Sequence, residues 1–178
     1  MLAAPVTPED HVQGPPDAAV TLVQYGDYEC PYTRLSRLSI RALQREFPDR
    51  LLFVFRHFPL EQIHPHARAA ASAAEGAARQ SKFWRMHEYL FQHQNRLEDV
   101  HLQMYATALG LDPVQFDRDR VSRYVADRIH RDLASGEASG VQGTPTFYVN
   151  GYRHEGRYDL ASLRSAIVPH FTRVAHRR

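Results

Sequence analysis

Hydrophobic positions change their period along this chain, and each change marks an element. Val20-Thr21-Leu22-Val23-Gln24-Tyr25 is short, β-branched and followed by Gly26-Asp27, which predicts a buried strand. Leu35, Leu38, Ala42, Leu43 and Phe47 then recur at helical spacing, so an amphipathic helix is expected from the residues after Cys30 to Pro48-Asp49. Pro31 suits its first turn, where the missing N–H has no intrahelical partner. Leu51-Leu52-Phe53-Val54-Phe55 reads as a second strand, and strand, helix, strand in this order implies a parallel pair joined by a right-handed crossover.

From about Pro65 to Gly140 the pattern is helical throughout. It begins with the Ala-rich run Ala67 to Arg79, whose small side chains let another helix approach closely. Phe83, Trp84, Met86, Tyr89, Leu90 and Phe91 predict a strongly apolar helix, with the aromatic residues serving as core. Further helices are expected around Leu102 to Leu109, after Asp112-Pro113, and from Val121, where Val121, Val125, Ile129 and Leu133 recur every fourth residue. Thr146-Phe147-Tyr148-Val149 is a strand, Asn150-Gly151 a hairpin turn, Tyr152 to His154 its partner strand, and Leu160, Leu163, Ile167 and Phe171 mark a last helix. Residues 1 to 19 carry Pro5, Pro8, Pro15 and Pro16, so an extended arm with at most a short edge strand is expected there. The fold class is α/β: a mixed sheet with flanking helices, divided between 20–62 and 140–178, and an inserted all-helical subdomain over 63–139.

With 178 residues, the chain fits one domain of ordinary size with an inserted lobe. A net charge of +2 is far from a nucleic-acid-binding profile, and the basic residues alternate with acids, as in Asp117-Arg118-Asp119-Arg120. His176-Arg177-Arg178 reads as a frayed basic tail. No segment approaches the roughly 20 apolar residues of a membrane span, so no membrane insertion is expected. The first residues carry no basic, apolar leader, and one cysteine excludes an internal disulfide framework, which together point to the cytoplasm. A chain already relieved of a leader would read the same.

Cys30 is that single cysteine, in Tyr28-Glu29-Cys30-Pro31-Tyr32-Thr33, where a two-thiol redox motif would place its second cysteine at Thr33. The junction of a strand and a helix's first turn offers unpaired N–H groups and the helix dipole to an anion, which favours the nucleophilic thiolate. Asp27 and Glu29 oppose this by like charge unless their side chains point to solvent. The bland alternative is an inert, partly buried cysteine.

Three segments together resemble the DsbA-like branch of the thioredoxin fold. Tyr25 to Thr33 looks like its active-site segment, Phe55-Arg56-His57-Phe58-Pro59-Leu60 with His64-Pro65-His66-Ala67 like its passage into the helical lobe, and Gly143-Thr144-Pro145-Thr146-Phe147 like its proline loop. The chain also resembles thioredoxin-like domains appended to some bacterial sodium/proton antiporters. The resemblance implies a thioredoxin-like domain with Cys30 as nucleophile and Pro145 as the family's cis-proline, facing the cysteine. Thr144 would offer backbone groups to an extended peptide or glutathione, and Pro31 and Tyr32 would shape the rim of the site.

Two positions depart from the family pattern. Thr33 replaces the resolving thiol, and its hydroxyl is a candidate donor to the Cys30 thiolate; Gln24 stands where such proteins often bury a carboxylate. The expected activity is therefore a monothiol thiol–disulfide oxidoreductase working through mixed disulfides with protein or small-molecule thiols, with no bound cofactor and with glutathione as the co-substrate to test. Two alternatives stay open: a redox-inactive peptide-binding module, and an enzyme like the kappa-class glutathione transferases, which commonly carry serine at the Cys30 position. Among the 11 histidines, His57, His64 and His66 invite a metal reading, but one cysteine and no matching second pair make a zinc site poor, and no metal is expected. Substrate, reductant and oligomeric state are not legible in the residues.

Overall fold

The computed structural model describes residues 1–172, so the basic tail lies outside the described residues. In chain order the elements are β1 (His11–Gln13), β2 (Val20–Gly26), α1 (Pro31–Glu46), β3 (Leu51–His57), α2 (Ala67–Ala78) and α3 (Phe83–Gln92). They continue with α4 (Asp99–Ala108), α5 (Pro113–Arg120), α6 (Arg123–Ala138), β4 (Thr146–Val149), β5 (Tyr152–Arg153) and α7 (Leu160–Thr172). Two compact units form, one from residues 1–26, 32–56 and 135 onward, the other from 27–31 and 57–134.

The first unit is built on a sheet of order β1-β3-β2-β4-β5. β2 and β3 lie side by side as the strand, helix, strand pattern requires, and every residue of β3 is buried. β4 pairs antiparallel with β2, Leu22 opposite Val149 and Tyr25 opposite Thr146. The hairpin turns at Asn150 and Gly151, both at positive φ (47° and 84°), which the Asn-Gly pair tolerates better than other dipeptides.

β1 is the expected edge strand, antiparallel to β3 with His11 opposite Phe55. The arm before it is pinned by Arg56, which is buried and donates to both Asp10 carboxylate oxygens (2.8 and 3.0 Å), to the carbonyls of Ala4 (3.0 Å) and Pro5 (2.8 Å) and to the Tyr25 hydroxyl (3.1 Å). Burial alone would lower the pKa of this guanidinium, but the bonds to Asp10 and Tyr25 outweigh it and raise the value.

The stripe expected on α1 is rotated. Leu35 and Leu38 are 49% and 63% exposed, while Thr33, Ser36, Ser39, Ile40 and Leu43 form the buried face. Close packing explains the choice: a Cβ on Gly26 would lie 2.5 Å from the Phe55 ring and 2.9 Å from Thr33 Cγ2, so only small helix residues fit against that part of the sheet. Ser36 is satisfied there, donating to the Thr33 carbonyl and accepting from Gln24 Nε2, each at 2.8 Å. On α7, Leu163, Ile167 and Phe171 are buried as the periodicity predicts, and Arg50 both donates to the Phe171 carbonyl (2.9 Å) and lies over its ring.

In the second unit α2 supplies the alanine surface. Its Gly76 meets α5 so closely that a Cβ would fall 2.9 Å from Arg120 Cβ. Asp112 caps α5 by accepting from Gln115 N at 2.7 Å, with Pro113 in the first turn. Phe83 and Phe91 are core as expected, whereas Trp84 and Tyr89 are half-buried. α6 departs from its four-residue repeat: Val125 and Ile129 are buried, Val121 is 75% exposed, and Arg128, Asp132 and Gly136 are also buried. Among the described residues, no helix is long and apolar enough to cross a membrane.

Candidate functional site

Cys30 sits in the short segment 27–31 of the helical unit, just before α1, with its N–H donating to the Asp27 carbonyl at 3.2 Å. Its thiol is in no disulfide and is buried, 3% exposed. The two nearby acids do not point to solvent. The Asp27 side chain is wholly buried and accepts from Glu29 N (2.8 Å), Leu60 N (2.9 Å) and His64 Nδ1 (2.8 Å); Glu29 accepts from His66 N at 2.7 Å. Both carboxylates thus tie the cysteine segment to the loop after β3, through the His64 ring and the His66 backbone N–H. Gln94, just past α3, completes the frame by donating from one amide nitrogen to the carbonyls of Tyr28 (2.7 Å) and Cys30 (2.9 Å).

Beneath the segment lies a buried polar group. The Tyr28 hydroxyl is hydrogen bonded to His87 Nδ1 (3.0 Å), His57 Nε2 donates to Glu75 (2.8 Å), and Asp132 accepts from the His57 amide (3.0 Å). Burial foremost, then the carboxylates of Glu75, Glu88 and Asp132, hold the Tyr28 phenol well above its ordinary pKa, so it stays neutral. Burial likewise raises the Asp132 carboxyl, against the opposing pull of Arg128 and His57.

Pro31, exposed, ends the 27–31 segment; the remaining candidates lie in the sheet-bearing unit. Thr33 is buried, with its methyl against Gly26 and its carbonyl bonded to Ser36. Gln24 is buried and held by Ser36 through its neutral amide. The Thr144–Pro145 bond is cis, and Pro145 opens a cleft of about 180 Å³ lined also by Phe147, His154 and Tyr158. Tyr32 is 56% exposed, and its ring meets that of Tyr158 with centroids 6.2 Å apart, so Tyr32 and the Pro145 cleft share one rim. Nothing in the local sequence marks Gln94 or Tyr158, and Asp27 is marked there only as a like charge. Asp27 was legible as an acid beside the cysteine, but nothing in the local pattern signals a glutamine 64 residues away that grips the Cys30 carbonyl.

A family model described as Thioredoxin matches residues 6–168. The chain is 48% identical over 169 residues to the Na(+)/H(+) antiporter NhaA 1 of Mycobacterium sp. (strain KMS), and 45% identical over 168 residues to the Na(+)/H(+) antiporter NhaA of Herminiimonas arsenicoxydans. These matches take in 93% and 94% of the chain but 28% and 27% of the antiporters, so the chain spans about a quarter of their length. Among solved structures, a thioredoxin-like oxidoreductase from Silicibacter pomeroyi superposes with a TM-score of 0.82 at 27% identity, covering 97% of this chain and 95% of that one. Oxidised BdbD from Bacillus subtilis gives 0.81 at 25%, covering 92% and 93%. Wolbachia pipientis alpha-DsbA1 shares the fold, at 0.81, 20% identity and 98% and 96% coverage. With its single thiol at Cys30, this chain belongs to the thioredoxin family and has a DsbA-like fold.

Proposed function

We propose that this protein is a monothiol thiol–disulfide oxidoreductase acting through Cys30. The observation that carries the reading is the chain's only thiol at the head of α1, its segment fixed by Asp27 and Gln94, in a DsbA-like fold. The Cys30 thiolate attacks the glutathione sulfur of a protein–glutathione mixed disulfide; a Cys30–glutathione bond forms and the protein thiolate leaves. A second glutathione thiolate then attacks that bond, forming glutathione disulfide and returning the Cys30 thiolate. Thr33 donates its hydroxyl to the thiolate, Thr144 and Pro145 receive the backbone of the incoming chain, and Pro31 and Tyr32 shape the rim. A cytoplasmic setting, rich in glutathione, belongs to this reading. So does a sodium/proton antiporter as the companion of the domain, on the strength of the relatives' names.

The test is glutathione-dependent turnover of a glutathionylated peptide, coupled to reduction of glutathione disulfide. Cys30→Ser should abolish it and Thr33→Val should lower kcat. Full activity in Cys30→Ser would refute the reading and bring forward the glutathione-transferase alternative.

The burial of Cys30 favours a second reading, a redox-inactive module that holds peptides at the Pro145 cleft. On that reading Cys30→Ala binds peptide as the wild type does, and no adduct forms on Cys30.

A further inference from the structure

Apart from Tyr32, the outer face of α1 has no part in the proposed chemistry. Tyr32, Leu35 and Leu38 are 56%, 49% and 63% exposed, one turn apart, beginning two residues after Cys30. Arginines line one side of the stripe, next to Leu38: Arg34 and Arg45 are exposed and Arg41 is half-buried. The single acid on the helix, Glu46, is taken by Arg164 of α7 at 2.7 Å. Through the Tyr32–Tyr158 ring contact the stripe runs on into the cleft beside Pro145.

We propose that this stripe and cleft dock a protein substrate whose reactive cysteine is flanked by apolar and acidic residues. The inference rests on the oxidoreductase reading and names its substrate class. An apolar stripe edged by cations is complementary to leucine-like and carboxylate side chains. Its narrowness and its continuity with a polar-lined cleft, which includes Arg153, His154 and Glu155, suit an extended peptide rather than a lipid surface.

Two labelled peptides of equal length decide it, each with a central glutathionylated cysteine, one flanked by leucine and glutamate, the other by serine and lysine. Binding to Cys30→Ser is read by fluorescence anisotropy and turnover is read with the wild type. The acidic, apolar peptide should bind more tightly and show the lower KM. Leu35→Ser with Leu38→Ser should weaken its binding about tenfold, the scale of losing one well-buried leucine contact. Arg34→Glu should also weaken it, more so at low salt. Turnover of the mixed disulfide of glutathione and cysteamine should fall far less in either variant. Equal binding of the two peptides, or no effect of the leucine substitutions, would overturn the proposal. So would binding of phosphatidylglycerol vesicles, lost in the leucine variant, with no peptide preference. If the peptide preference persists while no mixed disulfide turns over, the docking surface stands and the oxidoreductase reading fails.

Discussion

Replacing Asp27 should loosen the cysteine segment more than any other single change to its frame. Asp27 Oδ1 takes the Glu29 N–H, and Oδ2 takes both the Leu60 N–H and His64 Nδ1–H, all at 2.8 to 2.9 Å around a fully buried carboxylate. Asp27→Ala strips three donors of their acceptor at once. A buried unpaired donor costs about 1–3 kcal/mol, but His64 is 17% exposed and gains water in part, so the sum is about 3–5 kcal/mol. Asp27→Asn is milder. Its carbonyl oxygen can keep Leu60 and His64, but its amide then confronts the Glu29 N–H, a loss of about 1–3 kcal/mol. Urea unfolding checks both, as a lower midpoint at unchanged slope. Adding His64→Ala to Asp27→Ala should cost less than the two single losses together, because the pair shares one contact. An Asp27→Ala protein within about 0.5 kcal/mol of wild type would refute the reasoning, since that is the range of an ordinary surface change.

The other expectations are independent of that segment. Arg56→Met leaves the buried Asp10 carboxylate without its guanidinium counter-charge, keeping the Thr7 N–H, and should cost about 3–5 kcal/mol, with limited proteolysis now cutting within residues 1–13. Gly76→Ala gains about 1 kcal/mol of helix propensity but drives a Cβ to 2.9 Å from Arg120, so it should destabilise by a net of about 1–2 kcal/mol in the same unfolding assay. Asp132 has its pKa raised by burial in the folded chain. Above the ordinary carboxylate value of about 3.9 the unfolded chain has lost this proton while the folded chain still holds it. Its contribution to stability is therefore present below that value and lost as pH rises through the raised pKa. The stability of wild type relative to Asp132→Asn, followed by urea unfolding from acid to neutral pH, should fall as pH rises; a rising difference would contradict the assignment.

Much of the fold was legible because burial there follows hydrophobic period. β2, β3 and α7, the hairpin at Asn150-Gly151 and the cap at Asp112-Pro113 all lie where local chemistry decides the outcome. α1 and α6 show where that reasoning stops. Thr33 is buried instead of Leu35 because its contact with Gly26 leaves no room for a larger side chain, and Ser36 is held by the Gln24 amide, both constraints set by a strand outside the helix. On α6, Asp132 is inward because the His57 amide of β3 donates to it, and Arg128 lies beside it one turn earlier on the same helix, 3.4 Å away. The same holds for the site. Cys30 and the Thr144–Pro145 loop were visible as motifs, whereas Gln94, Tyr158 and the bonds of Asp27 arise only when distant segments meet.

The most direct test of the proposed chemistry is to mix the protein with a glutathionylated peptide, quench with acid and weigh the intact chain by mass spectrometry. The expected result is a single added glutathione on Cys30, absent in Cys30→Ser and removed by further glutathione with release of glutathione disulfide. A chain that keeps its unmodified mass while the peptide is reduced, or that takes up no glutathione at all, would contradict it.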